Sequence, residues 1–309
     1  MSIPPTGPAA SGVRVAYDAL PRPVRDWVET TLGSPVVQAQ TQPGGFSPGV
    51  AARLVCADGS RAFVKAVSAE VNPDSPTLHR REIEVLRALP ADLPVPRLMA
   101  AYDETPWVVL LIDDVDGEQP RLPWDEAELE RVLALARTVN AVTGVALGSI
   151  GERLAEWAGW TKLAAGDGPA DPWARQHLDA LVALEQTVEQ ATAGDHLLHV
   201  DFRADNVLLG RGRDWLVDWP WARVGAPWVD VVLAAPCIAL QGGPSPDELL
   251  QRAGVSADAE AITAVAAAFA GLMVYSSIQP PPPGIPTVRE FQAVQGRMAL
   301  DWLRTRTRW

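Results

Sequence analysis

The chain has 309 residues, of which 48% are hydrophobic and 21% charged, and it carries a formal net charge of -12. These values are typical of a globular protein with a sizeable core, folded as one large domain or as two lobes. The acidic field repels polyanions, which argues against nucleic acid as a partner. The two cysteines imply no disulfide framework and favour a reducing cytoplasm.

Two segments bear on targeting and membranes. The start, "MSIPPTGPAASG", lacks a basic region followed by an apolar core, so we expect no secretory signal. Residues 261–278 carry no charge, but they are rich in alanine, include Thr263 and Ser276, and precede "QPPPPG". These features favour a buried core helix over a membrane span, so we expect no membrane partner.

The N-terminal part is predicted to be mostly sheet. A short helix is expected over residues 21–32, after a Pro-rich start that we expect to be disordered. From residue 36, "VVQAQTQPGGFSPGVAARLVCADGSRAFVKAV" indicates three strands, separated by a Gly-rich turn and by a hairpin turn at Asp58-Gly59. Ser75-Pro76 resembles an N-cap followed by proline, which starts a helix to about Leu89, and residues 106–112 form a further strand.

The C-terminal part is predicted to be mainly helical. Apolar residues recur at helical spacing over residues 126–142, 173–191 and 259–278, and strand-like runs interrupt them only at residues 207–209 and 215–217. Charged residues and Gly117 replace the apolar run over residues 113–119. The sequence therefore predicts an α+β, bilobal protein with an antiparallel sheet lobe over residues 1–112, a hinge over 113–119 and a helical lobe over 120–309.

Three oxygen-bearing side chains are expected to converge near the two short strands. If these strands form a hairpin in which Leu209 pairs with Trp215, then Asn206 faces Asp218 at the open end. An amide and a carboxylate suit a hard divalent ion such as Mg²⁺, which also takes water and phosphate oxygens. Asp201 precedes Asn206 closely in the loop and could orient or deprotonate a hydroxyl beside a metal-bound phosphate.

The loop also matches a known pattern, because His199, Asp201 and Asn206 fit H-x-D-x-x-x-x-N of the kinase catalytic loop. The lines "LLHVDFRADNVLL" and "WLVDWPWARVGAPWVDVVL" resemble the aminoglycoside phosphotransferase family, small-molecule kinases with a protein-kinase-like fold. This resemblance implies that Asp201 is the catalytic base, that Asn206 and Asp218 bind Mg²⁺, and that His199 supports the loop. It also implies that Asp230 is structural and that ATP or GTP is the co-substrate.

Lys65, in "RAFVKAV", is one of two lysines in the chain. Strand alternation places it on the same face as Phe63, and the following helix carries Glu82 within its apolar stripe. An inward-pointing carboxylate needs a partner, so we predict that Lys65 pairs with Glu82, like the phosphate-positioning pair of kinases. Glu84, which lies off the stripe, remains an alternative partner.

Two further segments are candidate nucleotide contacts. The turn "PGGFSPG" matches neither G-x-G-x-x-G nor a Walker motif. Because the Lys65 strand follows it, the turn is similar to the family's nucleotide-positioning loop, with Gly45 and Ser47 as the expected contacts. The segment "LLIDDVDG" resembles the family's hinge, which implies backbone contacts to adenine at Asp113 and Val115.

Some positions depart from kinase patterns. Val200 replaces the glycine that usually lies between His and Asp in the family, and Trp219-Pro220 replaces the Phe-Gly of protein kinases. The short separation of Asp218 and Asp230 leaves no room for a long activation loop, which disfavours a protein kinase.

We therefore predict a phosphotransferase that moves the γ-phosphoryl group of ATP or GTP to a hydroxyl of a small molecule. An aminoglycoside or another antibiotic is one candidate acceptor, and drug resistance would follow in that case. The acidic surface suits a cationic acceptor, although solubility alone also explains the charge. The alternative is a kinase-like nucleotide-binding protein without transferase activity, which Val200 and the sparse Gly-rich turn motivate.

Overall fold

An antiparallel sheet forms the N-terminal part of the molecule. The computed structural model describes residues 12–309, and its largest sheet has five antiparallel strands in the order β1-β2-β3-β5-β4. The strands are β1 (Val36–Thr41), β2 (Val50–Cys56), β3 (Arg61–Ser68), β4 (Leu98–Glu104) and β5 (Trp107–Ile112). Helix α1 (Arg22–Leu32) precedes the sheet, and α2 (Ser75–Ala88) is inserted between β3 and β4.

The start of the chain differs in part from the predicted disorder. Residues 1–11 lie outside the described part, but Arg14 bridges to Gly49 beside β2, and Tyr17–Ala19 forms a 3-10 turn. Tyr17 and Leu20 are buried in the same cluster as the apolar face of α1. The prediction of disorder is therefore wrong for residues 12–20, because the sheet buries the apolar side chains that the Pro-rich composition obscured.

The predicted strands and the Asp58-Gly59 hairpin turn are confirmed, but strand β4 was not predicted. This strand lies at the sheet edge, where most of its residues are partly or fully exposed, so it shows no clear alternation. The N-cap of α2 is Asp74 and not Ser75. The carboxamide oxygen of Asn72 accepts from the backbone N–H groups of both residues, at 2.9 and 3.0 Å, and so fixes the start of the helix one residue earlier.

The C-terminal part is mainly helical, as predicted. Its helices are α3 (Glu126–Asn140), α4 (Ile150–Trp157), α5 (Gly159–Ala164), α6 (Pro172–Gln176), α7 (Leu178–Gln186), α8 (Val188–Ala191), α9 (Val229–Leu240), α10 (Pro246–Arg252), α11 (Ala259–Ser277) and α12 (Val288–Thr307). Two short ladders pair β6 (His196–Leu198) with β9 (Arg223–Gly225) and β7 (Val207–Leu208) with β8 (Trp215–Leu216). The helix expected over residues 173–191 is broken in three, first at His177, whose ring contacts Trp173 and Trp309.

The sheet is covered on both faces, and the largest core lies among the helices. Apolar side chains of α1 pack on one face of the sheet, and those of α2 pack on the other. Helix α11 is long and apolar enough to cross a membrane by length and composition. It packs as a core helix, because the indole N–H of Trp160 donates to the carbonyl oxygen of Ala267 at 2.7 Å and the same ring lies against Gly271.

Candidate active site

Strand β3 presents Lys65 to a cavity between the sheet and the helical part. Lys65 Nζ donates to Glu82 Oε1 and Oε2 at 2.7 and 2.9 Å, and to Asp218 Oδ1 at 2.7 Å. Glu82 is only 2% exposed, whereas Glu84, the alternative partner, lies on the exposed face of α2. The predicted contact between Lys65 and Glu82 is therefore present, and it extends to Asp218.

Lys65 and Asp218 stabilise each other's charged forms, whereas burial, together with the charge of Asp218, raises the pKa of Glu82 despite the contact with Lys65. Burial disfavours the charged form of Lys65, but the attraction of the Asp218 and Glu82 carboxylates is stronger than this effect. The pKa of Lys65 is therefore raised above its ordinary value. Burial also opposes ionisation of Asp218, but the ammonium of Lys65 lowers the pKa of Asp218 to about 2. Lys65 and Asp218 are both charged at neutral pH, as binding of a phosphate and of a cation requires.

The loop after β6 holds Asp201 and Asn206 together. Asn206 Nδ2 donates to the backbone oxygen of Asp201 at 2.8 Å and to its Oδ2 at 3.0 Å. Arg203 Nη1 donates to Asp201 Oδ1 at 3.1 Å. Burial raises the pKa of Asp201, although Arg203 opposes the shift. A fixed carboxylate with a raised pKa has the chemistry of a general base.

Val200, which stands in place of a glycine, adopts a left-handed φ of +72°. This conformation costs a β-branched residue about 1–2 kcal/mol. Asp230, which is fully buried, accepts hydrogen bonds from the backbone N–H groups of Val200 at 2.7 Å and His199 at 2.8 Å, and from Asn140 Nδ2 at 2.9 Å. His199 Nε2 donates to the carbonyl oxygen of Val217 at 3.0 Å. These contacts tie the loop to α9 and to the segment that carries Asp218.

The hairpin before Asp218 has a different register from the predicted one. Its pairs are Val207–Leu216 and Leu208–Trp215. The prediction that Asn206 faces Asp218 across the ladder is therefore wrong by one residue. Leu209 leaves the hairpin to exchange hydrogen bonds with Glu118, at 2.8 and 3.2 Å. Asp218 consequently lies beyond the ladder, in a left-handed conformation with φ +69°.

Asn206 and Asp218 nevertheless line the same cavity as Lys65. Within residues 12–309, no three His, Cys, Asp or Glu side chains form a metal-binding cluster by themselves. An amide oxygen and a carboxylate fit a hard cation that completes its shell with water and phosphate oxygens. These two residues are therefore the candidates to hold Mg²⁺.

The Gly-rich turn between β1 and β2 closes one side of this cavity. Gly44 and Gly45 have φ values of +85° and +74°, which favour glycine. Gly45 and Ser47 line the cavity, as their predicted role requires. The volume is about 180 Å³, which is below the roughly 300–1,000 Å³ of small-molecule sites. The turn thus forms one wall of the candidate nucleotide site.

The segment after β5 supplies backbone groups to the opposite side of the cavity. The Asp113 carboxylate accepts from the Nε of Arg97 at 2.9 Å, away from the cavity, although Asp113 and Val115 both line it. Val115 is 8% exposed, and its N–H has no acceptor among the described residues. The backbone groups of this segment, and not the Asp113 carboxylate, are therefore the candidates to contact a nucleotide base.

Three residues at the site were not predicted from the sequence: Arg14 and Phe46, which line the cavity, and Arg203, which contacts Asp201. Arg203 Nε donates to Asp205 Oδ1 at 2.9 Å, and its guanidinium lies 5.3 Å from the ring centroid of Phe46 and 5.2 Å from that of Phe291. Despite burial, the carboxylates of Asp201 and Asp205 raise the pKa of Arg203. The two acids that flank Arg203 in "DFRAD" were a local signal that could have indicated this residue. No local sequence signal indicates the contact between Phe46 and Phe291.

Solved structures establish the fold. The chain is similar to choline kinase LicA from Streptococcus pneumoniae, with a TM-score of 0.60, 14% identity, and 92% of this chain and 98% of that chain covered. It is also similar to a thermostable mutant of aminoglycoside phosphotransferase APH(4)-Ia, with a TM-score of 0.57, 15% identity, and 92% of this chain and 98% of that chain covered. A third similar structure is a putative fructosamine-3-kinase from Haemophilus somnus 129PT, with a TM-score of 0.55, 8% identity, and 91% of this chain and 96% of that chain covered. The predicted protein-kinase-like fold is confirmed.

The family follows from the sequence match. No curated protein sequence matches the chain significantly. The model of the phosphotransferase enzyme family matches residues 43–267, which is well over half of the chain and includes Lys65, Asp201 and Asp218. The chain therefore belongs to the phosphotransferase enzyme family, and it is a small-molecule kinase that takes an alcohol group as acceptor and a nucleotide as co-substrate.

Proposed function

We propose that this enzyme moves the γ-phosphoryl group of ATP, or of GTP, to a hydroxyl of a small molecule at the cavity beside Lys65. The observation that carries the proposal is the triad in which Lys65 Nζ lies 2.7 Å from both Glu82 and Asp218. Bringing the buried Glu82 together with the partly buried Lys65 and Asp218 is a poor way to stabilise a fold, because desolvation offsets much of their attraction. Such groups at a cavity are typical of a functional site.

Each residue of the triad has a distinct role in the proposal. Lys65 binds the α- and β-phosphates, and Glu82 holds the ammonium through both of its carboxylate oxygens. Lys65 also donates to Asp218, and this carboxylate would hold the cation together with Asn206. Mg²⁺ held by Asn206 and Asp218 would supply neutralisation of the phosphate oxygens.

Asp201 orients the acceptor in the chemical step. It accepts a hydrogen bond from the hydroxyl, whose oxygen forms a bond to the γ-phosphorus while the bond to the oxygen of the β-phosphate breaks. The proton passes to Asp201 and then to solvent, and ADP (or GDP) leaves. Arg203 and Asn206 restrict the carboxylate to one orientation. Positioning supplies much of the acceleration, because the transition state of phosphoryl transfer is loose.

We propose a cationic alcohol as the acceptor. The net charge of -12 favours cationic ligands over anionic ones, and the structures similar to this chain include an aminoglycoside phosphotransferase and a choline kinase. If the acceptor is an aminoglycoside or another antibiotic, drug resistance follows. A protein without transferase activity has less support, because Asp230 accommodates the departure at Val200.

A coupled assay of ADP release tests the function. Purified enzyme with Mg²⁺ and ATP is screened against aminoglycosides, choline-like alcohols, macrolides and sugars, and the Asp201→Asn variant serves as the blank. A parallel screen with GTP, followed as GDP release, compares the two nucleotides. We expect release that depends on both the acceptor and Asp201. Release that is equal in the variant would contradict the role of Asp201, and preference for neutral sugars would contradict the proposed acceptor class.

A further inference from the structure

Residues 12–15, here called the N-terminal segment, run beside the Gly-rich turn. Val15 N donates to the carbonyl oxygen of Gly49 at 3.0 Å, and Gly49 N donates to that of Val13 at 3.0 Å. Val13 N also donates to the carbonyl oxygen of Gly284, in the helical part, at 2.9 Å. The segment thus joins the turn to the helical part at the mouth of the cavity.

Arg14 reaches from this segment into the concave side of the turn. Its Nη1 donates to the carbonyl oxygen of Ser47 at 2.5 Å, and its Nη2 donates to that of Gly44. A Cβ atom at Gly45 would lie 2.7 Å from Nη2. The positive φ favours glycine at position 45, and the lack of a side chain there leaves room for the Arg14 guanidinium.

The charge of Arg14 lacks a compensating partner. Its hydrogen-bond acceptors are carbonyl oxygens, its Nε is buried without a partner, and no carboxylate of the described residues forms an ion pair with it. Lys65 and Arg53, which line the same cavity, and Arg203, which contacts Asp201 beside it, each lie within 4.0 Å of two carboxylates. Burial lowers the pKa of Arg14, and the charge of Asp218 opposes the shift. A part-buried cation without a paired carboxylate at a cavity is a candidate contact for an anionic ligand.

We propose that Arg14 is a second phosphate-binding cation, which contacts the terminal phosphates of the nucleoside triphosphate while it holds the Gly-rich turn over them. Arg14 lines the same cavity as Lys65 and Asp218. The turn engages one N–H of Nη1 and one of Nη2, and Nε is buried, which leaves one N–H on each terminal nitrogen to donate to phosphate oxygens. The inference rests on the proposed function.

The test compares nucleotides that differ only in their number of phosphates. Affinities for ATP, ADP and AMP are measured by calorimetry, with Mg²⁺, for wild type, Arg14→Gln and Arg14→Lys. We expect Arg14→Gln to weaken ATP binding about 10- to 100-fold, ADP binding less, and AMP binding by no more than about twofold. Arg14→Lys should restore part of the loss, because lysine keeps the charge without the fork.

Arg25→Gln is the matched control, because Arg25 Nε also donates to a backbone carbonyl, that of Leu20 at 3.1 Å, outside the cavity. This control should bind all three nucleotides like wild type. Equal losses for ATP and AMP in Arg14→Gln would show that Arg14 only shapes the turn, and unchanged affinities would show no role; either result overturns the proposal.

The two proposals fail in different ways. Wild type that binds no nucleoside triphosphate overturns the proposed function and this inference together, whereas tight binding that survives Arg14→Gln overturns the inference alone. Melting without nucleotide checks that each variant is folded. If Arg14→Gln does not fold, Arg14→Lys carries the same comparison, and equal losses for ATP and AMP in that variant overturn the proposal.

Discussion

Asp230 offers the sharpest test of how the fold supports the catalytic loop. Its carboxylate accepts from the N–H groups of His199 and Val200 and from Asn140 Nδ2, at 2.7 to 2.9 Å, and the residue is fully buried. Each buried donor left without a partner costs about 1–3 kcal/mol. Allowing for relaxation, we expect Asp230→Ala to lose about 3–5 kcal/mol of stability.

Asp230→Asn changes the same site without changing its volume. The amide keeps an oxygen for His199 and Asn140, which share Oδ2, but it turns an NH₂ group toward the N–H of Val200. We expect a loss of about 1–3 kcal/mol. Val200 should then relax from its φ of +72° and displace Asp201, so kcat should fall more than the affinity for ATP.

Thermal melts and steady-state kinetics measure both effects. A domain of this size loses about 2–4 °C in melting temperature per kcal/mol, so Asp230→Ala should melt about 10 °C below wild type. Asp258→Asn is the control, because Asp258 is an exposed acid that precedes another helix, α11, without capping it through its side chain. Melting temperatures and kcat values equal to wild type in Asp230→Asn would refute the reasoning.

Three further outcomes follow from the site. Asp201→Asn should lower kcat about 10²- to 10⁴-fold with little change in ATP affinity. Asp218→Ala should abolish turnover and Mg²⁺-dependent ATP binding. Normal turnover in either variant would contradict the role assigned to that residue. Glu82→Gln should lower kcat/KM about 10- to 100-fold, since Lys65 loses a charged partner. The control Glu84→Gln, on the exposed face of the same helix, should keep kcat/KM within about twofold of wild type. Equal losses in the two variants would contradict the role of Glu82 in the triad. Because Lys65 lowers the pKa of Asp218 to about 2, this carboxylate stabilises the fold above its unfolded pKa of about 3.9, and the contribution is lost as the pH falls toward about 2. Melting temperature should therefore fall more steeply over this range in wild type than in Asp218→Asn, and identical slopes would count against the ion pair.

Much of the candidate site could be predicted because its signals are local. The period of the apolar stripe in α2 placed Glu82 inward and Glu84 outward, and both positions agree with the structure. The spacing of Asp201 and Asn206 within one loop brings them into contact, since few backbone conformations can separate them. Their roles in catalysis stay predictions.

The register of the β7–β8 hairpin could not be predicted. The apolar runs on either side of the loop allow pairing of Leu209 with Trp215, but Leu209 pairs with Glu118 from a distant part of the chain. The pairing partner of an edge strand depends on which segments the tertiary fold places beside it. A shift of the register by one residue changes every pair in the ladder.

Sequence by itself determined the family, the fold class and the loop that carries Asp201, because each depends on residue types at short, fixed spacing. Only the tertiary structure decided that Asp218 joins the pair of Lys65 and Glu82 and that Arg14 lies at the cavity. Lys65 and Asp218 come from different parts of the molecule, and Arg14 reaches the Gly-rich turn from a segment whose composition indicated disorder. The physical reason is that the partners of an ion pair or a buried donor can be far apart in the sequence and close together in the fold. The periodicity of one segment does not reveal such distant partners.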